Sequence, residues 1–443
     1  MKIFQALLFI VLTSLSTGTA LAQTQVIPAK AQSAPVLLKG AKAHLGNGTV
    51  IDNAVIAFDQ GKITLVGPAA STSVDESKYD VYDVSGKQIY PGFIIANTQL
   101  GLVETSSLDD TRDAAETGEN NANVRSIVAY NTDSELIPTM RFNGILMAQA
   151  TPQGGLISGN SAIVQLDAWN WEDAAYKVDD AMHMSWPDKM LRPRWWMGES
   201  GTRANPDYEA TVQQVRDLFT AAISYQTPAE GQPTNLRLEA MKGLFDGSKA
   251  LHIHVSNAKS IIESVTVAKS FGVKRVVVVG GEQAHLITSF LKDNNVPVIL
   301  TGIHELPAQD HEDTVLPFKL PKMLYDAGVT FGISNGGGYA DRNLGFATGT
   351  AVAHGLPYDQ GIHAITGGMA KILGIDQTVG TLEQGKDATL FVSSGDALDM
   401  RGNNVELAFI MGKSIQINAR QQFLYKKYAD KYEQPVNLVK EKN

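Results

Sequence analysis

Short runs of alternating apolar and polar residues fill the chain from residue 36 to 90, and tight turns separate them. In NAVIAFDQGKITLVG, two such runs flank Asp59-Gln60-Gly61-Lys62, which predicts a β-hairpin. A similar pattern returns near the end of the chain in TLEQGKDATLFVSS and ELAFIMGKSIQIN. These patterns predict one small β-sandwich domain, built from residues 36–90 and 371–418.

Residues 91–370 follow a different pattern. Apolar segments such as RVVVVGG and PVILTG alternate with helical windows such as EQAHLITSFLKDN and LPKMLYDAG. Repeated β and α segments favour parallel strands covered by helices, and a closed (β/α)8 TIM barrel is typical at this length. A doubly wound open sheet is the alternative, but no G-x-G-x-x-G opens a helix after the first strand. Residues 419–443 are predicted to form a final helix and a tail.

The N-terminus has the features of a cleaved signal peptide over residues 1–22. Lys2 precedes the apolar stretch IFQALLFIVL, and the small-residue exit Ala20-Leu21-Ala22 follows it. An uncleaved anchor is the alternative, but the apolar run is shorter than the ~20 residues that a membrane span needs. Residues 23–35 lack a periodic pattern and are expected to be a disordered lead-in. The mature chain is therefore expected to be periplasmic or secreted, without a membrane span.

Charge and composition narrow the classes of partner. The chain has 443 residues, a formal net charge of -9 and a sequence pI of about 5.5. This balance gives no extended basic surface and argues against nucleic acid as a partner. The absence of cysteine excludes disulfides and thiolate metal sites. A small-molecule substrate or ligand is the expected partner, and a homo-oligomer is possible.

Four stretches follow one another like landmarks of a known family: PGFIIANTQLG, DAGVTFGISN, AITGGMAKILGIDQTVGTLEQGKDATLFV and AFIMGKSI. In these stretches the chain resembles the amidohydrolase superfamily over nearly its whole mature length. LIPTMRFNGILMAQATPQGGLISGNSA and NARQQFLYKKY also resemble a secreted bacterial amidohydrolase-like group. The resemblance implies a metal-dependent hydrolase of amide, imide or cyclic amide C–N bonds, with a TIM barrel whose first strand ends in His-x-His.

This chain departs from that pattern at the positions of the metal ligands. Asn97 and Gln99 match the two histidines, and Asn335 matches the late-strand aspartate that holds the metal and accepts the proton of water. On RVVVVGG, the histidine that the resemblance implies is replaced by Gly280 or Gly281. An amide offers a zinc ion only a neutral carbonyl oxygen and cannot act as a base. The predicted site is therefore metal-poor, with no cofactor expected and zinc as the alternative.

Histidines elsewhere could still carry chemistry. His254, in ALHIHVSNA, stands where the resemblance implies a mid-barrel histidine, and His252 precedes it by two residues. They could form a relocated metal site with His285, or His254 and His285 could act as acid–base groups. The favoured interpretation is that His252 packs inside the barrel and His254 bonds to the amides, because two imidazoles leave zinc short of three ligands.

Further candidate residues lie in segments expected at the barrel mouth. Asp341, a stand-in acid, and Arg342, suited to a substrate carboxylate, follow the glycines of SNGGGYADRNLG. Glu104 follows the first barrel strand. All five tryptophans fall between residues 169 and 196, which predicts either an aromatic lid carrying Trp169 and Trp171 or a self-packed excursion or subunit contact.

Two functions remain open on these grounds. The first is a hydrolase with a degenerate site, in which His254 is the base and Asn97, Gln99 and Asn335 polarise the substrate carbonyl. The second is a catalytically inactive ligand-binding protein with the same pocket.

Overall fold

The computed structural model describes residues 27–191, 193–226, 233–307 and 311–435. The predicted signal peptide, residues 1–22, lies outside these ranges. The fold is mixed α/β. Its strands are β1 (Val36–His44), β2 (Val50–Asp59), β3 (Lys62–Pro68), β4 (Asp80–Asp83), β5 (Gln88–Pro91), β6 (Phe93–Thr98), β7 (Ile145–Ala150), β8 (Ile157–Asn160), β9 (Ala162–Gln165), β10 (Ala175–Lys177), β11 (Ala181–Ser185), β12 (Met190–Leu191), β13 (Arg203–Ala204), β14 (Ala250–Val255), β15 (Val276–Gly280), β16 (Val298–Leu300), β17 (Phe331–Ile333), β18 (Leu390–Ser393), β19 (Val405–Ile410) and β20 (Lys413–Ser414).

The α-helices of the described residues lie mostly between these strands. They span Leu136–Phe142, Trp171–Ala174, Tyr208–Ser224, Leu236–Asp246, Ala258–Ser270, Thr288–Asp293, Leu316–Ala327, Leu344–Ala353, Tyr358–Ala364, Gly367–Leu373 and Arg420–Lys431. The last of these confirms the helix predicted in ARQQFLYKKYADKYEQP.

Strands from both ends of the chain share one sheet. It is eight-stranded, with the order β20-β19-β18-β5-β1-β2-β3 and with β4 also paired to β1. The predicted hairpin joins β2 to β3, where Asp59 is paired with Lys62. Gln60 and Gly61 both have positive φ, 47° and 79°, as the tight hairpin turn requires.

The middle of the described chain forms two larger sheets and one small sheet of β12 and β13. One of the larger sheets has the order β10-β9-β7-β6 and the other β17-β16-β15-β14-β11-β8. Only Ser161 separates β8 from β9, so one sheet continues into the other. At the outer strands, the Ser334 hydroxyl, just after β17, donates to the carbonyl oxygen of Ala96 in β6.

One part of the middle region differs from the predicted run of parallel strands. β6 and β7 are parallel, and β11 and β14 to β17 are parallel, but β9 runs antiparallel to β7 and β8 antiparallel to β11. The segment 151–156 that follows β7 is shorter than the dozen residues that a parallel crossover needs. The chain therefore turns back directly.

Alternate residues of these strands separate into two apolar cores. Ala181, Ala250, Val277 and Val279 belong to the inner core with Met369, whereas Met182, Leu251, Ile253 and Val278 pack with the helices in the outer core. Because side chains alternate along a strand, His183, His252 and His254 share the inner face with Ala181 and Ala250.

The described part of the expected lead-in makes specific contacts. The Ala29 N–H donates to Asp167 Oδ2 at 2.8 Å, and the Gln32 amide donates to the Phe58 carbonyl at 3.0 Å. Gln32 Oε1 also accepts from the Gly61 N–H at 2.9 Å. Residues 27–35 thus differ from the expected disorder, because Gln32 satisfies backbone groups of the β2–β3 hairpin.

Among the described residues, no helix has the length and apolar character needed to cross a bilayer.

Candidate functional site

A buried carboxyl group lies where the ends of β6 and β17 meet. Asp341 is completely buried, and its carboxylate accepts hydrogen bonds from the Thr98 hydroxyl and, at 3.1 Å, from the Gly337 N–H. Burial raises the pKa of Asp341 to about 7, and these two bonds only partly oppose that effect. We call Thr98, Gln99, Asn335, Gly337 and Asp341 the strand-tip cluster. Its carboxyl group can change charge near neutral pH.

Gln99 packs against the glycine loop of this cluster. A Cβ on Gly337 would lie 2.3 Å from Gln99 Oε1, and Gly337 has a φ of 95°. Only glycine meets both conditions without a shift of its neighbours. Gln99 Nε2 is buried and lacks a hydrogen-bond partner within the described ranges. The cluster therefore presents an unused amide donor beside the loop that Asp341 holds.

Asn97 and Asn335 have different surroundings. Asn97 has a φ of 52°, and the register between β6 and β7 shifts between Ile95 and Thr98. At this bulge Thr98 is the buried residue of the strand tip, whereas Asn97 and Gln99 are partly buried. The Asn97 N–H donates to Gln149 Oε1 at 3.2 Å. Asn335 Nδ2 donates to the Ala340 carbonyl at 3.1 Å, so it shapes the loop that carries Asp341.

Three histidines meet on the inner face of β11 and β14, and we call them the histidine cluster. His183 Nδ1 lies 2.9 Å from His254 Nε2, and the His183 and His252 rings pack edge to face at 4.9 Å. His183 and His252 are completely buried, whereas His254 is partly exposed. Burial lowers the pKa of His252 to about 3, that of His254 to about 4, and that of His183 well below its ordinary value. All three rings are therefore neutral at physiological pH.

His183 is the residue that sequence reasoning missed. It lies in AMHMS without another histidine nearby, and it meets His254 only because β11 and β14 pair in parallel with Ser185 opposite His254. The signal that could have found it is the short apolar run AMHM, in which His183 has the same strand parity as Ala181.

The remaining predicted residues lie apart from these contacts. His285 is in the 3-10 helix Ala284–Ile287, and its buried Nδ1 lacks a partner among the described residues. Arg342 lies over the Tyr339 ring at 3.8 Å and donates to the Tyr339 carbonyl at 2.7 Å. Glu104 accepts from Asn131 Nδ2 at 3.1 Å and from the Ser134 hydroxyl at 2.9 Å, and so holds its own loop together.

The structure places Trp169 and Trp171 away from the strand tips. They follow β9, whose last residue, Gln165, is paired with Met147 in the N-terminal half of β7. Because β9 runs antiparallel to β7, the chain leaves the sheet at the edge opposite the tips of β6 and β7. Trp169 is exposed there and Trp171 packs on the outer core, so the expected aromatic lid is not formed by these two residues.

The donor atoms do not fit the metal cage that the resemblance implies. Within the ranges that the structure describes, no group of three or more His, Cys, Asp or Glu side chains is arranged to hold a metal ion. The histidine nitrogens that face each other are engaged in a mutual hydrogen bond. At the strand tips, Asp341 is the one acidic member of the cluster, and its oxygens already accept bonds from protein donors.

Sequence comparison finds relatives over most of the chain, although no protein-family model matches it. The chain is 21% identical over 380 residues to the amidohydrolase tasK of Hapsidospora irregularis. This alignment covers 80% of the chain and 39% of that relative, so the chain spans about two fifths of its length.

Comparison with solved structures extends this likeness to the fold. An amidohydrolase from Thermotoga maritima superposes with a TM-score of 0.75 at 22% identity, covering 86% of this chain and 99% of the other. An adenosine deaminase from Xanthomonas campestris, solved with bound zinc, gives a TM-score of 0.51 at 15% identity over 91% of this chain and 98% of the other.

Proposed function

We propose that the chain is an amidohydrolase-superfamily protein that hydrolyses carbon–nitrogen bonds of amides or cyclic amides at a degenerate, metal-poor site. Support comes from the relatives and from the strand-tip cluster. The relative tasK is much longer than this chain, so the proposal concerns the part that the alignment covers.

The unused Gln99 amide beside the Asp341 loop is the observation that carries the proposal. A buried donor without a partner costs about 1–3 kcal/mol, and a substrate carbonyl oxygen would satisfy it. A donor in that position also stabilises the negative charge that develops on the oxygen when water attacks. Gln99 and the Asn97 side chain are the amides assigned to the substrate carbonyl.

Asp341 supplies the acid–base group of this proposal. Because the pKa of Asp341 is raised to about 7, a fraction of the groups is ionised near neutral pH and can take a proton from the attacking water. The Thr98 hydroxyl donates to this carboxyl group and links it to the tip of β6. Protonated Asp341 then returns the proton to the departing nitrogen.

The finer architecture belongs to the same proposal. We place β6, β7, the β8–β9 segment, β11 and β14 to β17 in one closed barrel, supported by the Ser334 bond to Ala96. The sheet from both chain ends would be one layer of the β-sandwich domain, residues 36–90 and 371–418. The signal-like N-terminus supports a periplasmic or secreted location, and a homo-oligomer remains part of the proposal.

A ligand-binding protein without turnover is the second candidate. It is favoured by the complete burial of both Thr98 and Asp341, which suits a structural tie between β6 and the glycine loop. The low pKa of His254 also makes that residue a poor base.

One experiment separates these functions. Protein purified without chelators is assayed for metal content, and turnover is measured on N-acyl amino acids, dipeptides and cyclic imides. We expect hydrolysis by metal-free protein, and a loss of about 100-fold or more in Gln99→Leu. Glu104→Gln is the matched control, with turnover unchanged. Stoichiometric zinc whose removal abolishes activity would contradict the metal-poor site, and binding without any turnover would favour the second candidate.

A further inference from the structure

The histidine cluster contains a hydrogen bond that the proposed reaction does not use. His183 and His254 share one hydrogen bond between Nδ1 and Nε2, 2.9 Å apart. Since both rings are neutral, one ring donates and the other accepts, and the choice fixes where the second proton of the pair lies. The position of that proton decides what His254 can offer to a ligand.

The buried surroundings of His183 decide between the two arrangements. His183 Nε2 is buried and has no partner among the described residues. If His183 carried its proton on Nε2, an N–H group would be buried without an acceptor. If the proton is on Nδ1, the orphan is an acceptor lone pair, which proteins tolerate more often than an unpaired N–H. The second arrangement makes His183 Nδ1–H the donor.

The consequence falls on the opposite nitrogen of His254. When His254 Nε2 accepts from His183, the single proton of the neutral His254 ring must lie on Nδ1. His254 is the one partly exposed ring of the cluster, near the end of β14, whereas His183 and His252 are completely buried. In this arrangement neutral His254 keeps an N–H group on Nδ1 and has no free lone pair.

We propose that His183 is a positioning residue that fixes His254 as a neutral Nδ1–H donor to the carbonyl oxygen of an amide substrate. His254 is then a hydrogen-bond donor rather than the base that the sequence suggested. The role rests on the proposed function, because a donor of this kind is useful where negative charge develops on oxygen. The His183 ring packs edge to face on His252, with 4.9 Å between the ring centroids.

Substitutions at His183 and His252 separate this role from simple packing. His183→Asn retains an amide N–H near the place of Nδ1, whereas His183→Phe retains the ring and removes the donor. His252→Phe is the matched control. It changes a neighbouring buried ring of the same cluster, and the nitrogens of that ring make no hydrogen bond to His254 within the described ranges.

The first readout is the His254 tautomer, measured by 1H–15N correlation NMR on protein labelled with 15N-histidine, with His254→Gln used for assignment. We expect a protonated Nδ1 in the wild type, in His183→Asn and in His252→Phe, and a mixture of tautomers in His183→Phe. A wild-type His254 protonated on Nε2 would overturn the inference. So would a tautomer that does not respond to His183→Phe.

The second readout is turnover of the substrate found with the amide panel. We expect His183→Phe to lower kcat at least about tenfold with KM nearly unchanged, and His183→Asn to recover most of the loss. An equal kcat loss in His252→Phe would assign the effect to packing and contradict the inference. If no substrate is turned over, the proposed function fails, and the tautomer measurement still decides the role of His183.

Discussion

Asp341 in the strand-tip cluster and the rings of the histidine cluster differ in how their buried polar atoms are paired. At the strand tips, both oxygens of Asp341 accept hydrogen bonds, and those bonds tie β6 to the loop after β17. In the histidine cluster, both nitrogens of His252 and Nε2 of His183 lack partners among the described residues. Burial keeps Asp341 protonated up to about pH 7 but keeps the imidazoles unprotonated in acid. The Asp341 oxygens are therefore satisfied by protein donors, whereas the histidine cluster keeps buried nitrogens without partners among the described residues.

The largest effect should appear when the charge of Asp341 is removed. The folded-state pKa of Asp341 is about 7 against 3.8 for the ordinary group, so the wild type loses stability as the pH rises from about 4 to about 7. Asp341→Asn cannot ionise. Its stability relative to the wild type should therefore increase over this window, by up to about 4 kcal/mol. Urea unfolding between pH 4 and pH 8 measures the difference, and a difference that stays constant would contradict the raised pKa.

A somewhat smaller effect is expected from Thr98→Val, which keeps the shape of the side chain and removes the hydroxyl. The Thr98 hydroxyl donates to Asp341 and accepts from the Leu100 N–H at 3.0 Å. Its loss leaves both groups without this partner, at a cost of about 2–3 kcal/mol. Chemical denaturation at pH 6 measures this cost. Thr117→Val, at an exposed threonine, is the control. Equal effects of both substitutions would mean that the Thr98–Asp341 bond does not stabilise the junction between β6 and the loop after β17.

The smallest effect at neutral pH is expected from His252→Phe. Replacing nitrogens that lack partners with carbon should change stability by less than about 1 kcal/mol at pH 8. In acid, the stability difference between His252→Phe and the wild type has a definite sign. The pKa of His252 is lowered from 6.5 to about 3, so the unfolded wild type takes up a proton first and stability falls as the pH drops below about 6.5. The stability of His252→Phe relative to the wild type should therefore increase as the pH is lowered from 6.5 to 5. A loss above about 3 kcal/mol at pH 8 would mean that His252 has a partner.

Sequence patterns predicted the parts of the fold that depend on local periodicity. The β2–β3 hairpin, the apolar strand RVVVVGG and the helix in ARQQFLYKKYADKYEQP are recognisable because turn residues and apolar spacing act over a few neighbours. The antiparallel direction of β8 and β9 was not predicted. The direction of a strand depends on the length of the connection that precedes it and on which side of β7 is unpaired. The same direction of β9 decides which edge of the sheet receives Trp169 and Trp171.

The candidate site shows the same limit at the level of single residues. The resemblance pointed to Gln99 and Asn335, and the structure brings both to the loop that carries Asp341. It did not point to Thr98, because no residue pattern predicts the backbone bulge at Asn97. His183 became a partner of His254 only through strand pairing far apart in sequence. Contacts of this kind are set by the register of strands rather than by motifs.

The sheet assembled from both chain ends has a consequence for biosynthesis. β5 pairs with β1 on one side and with β18 on the other, and β18 is made only after the whole middle of the chain. A nascent chain that has delivered β1 to β5 thus exposes an open strand edge until residues 390–414 leave the ribosome. A chain that ends before β18 would therefore leave this edge of β5 unpaired, and an unpaired strand edge is prone to aggregation.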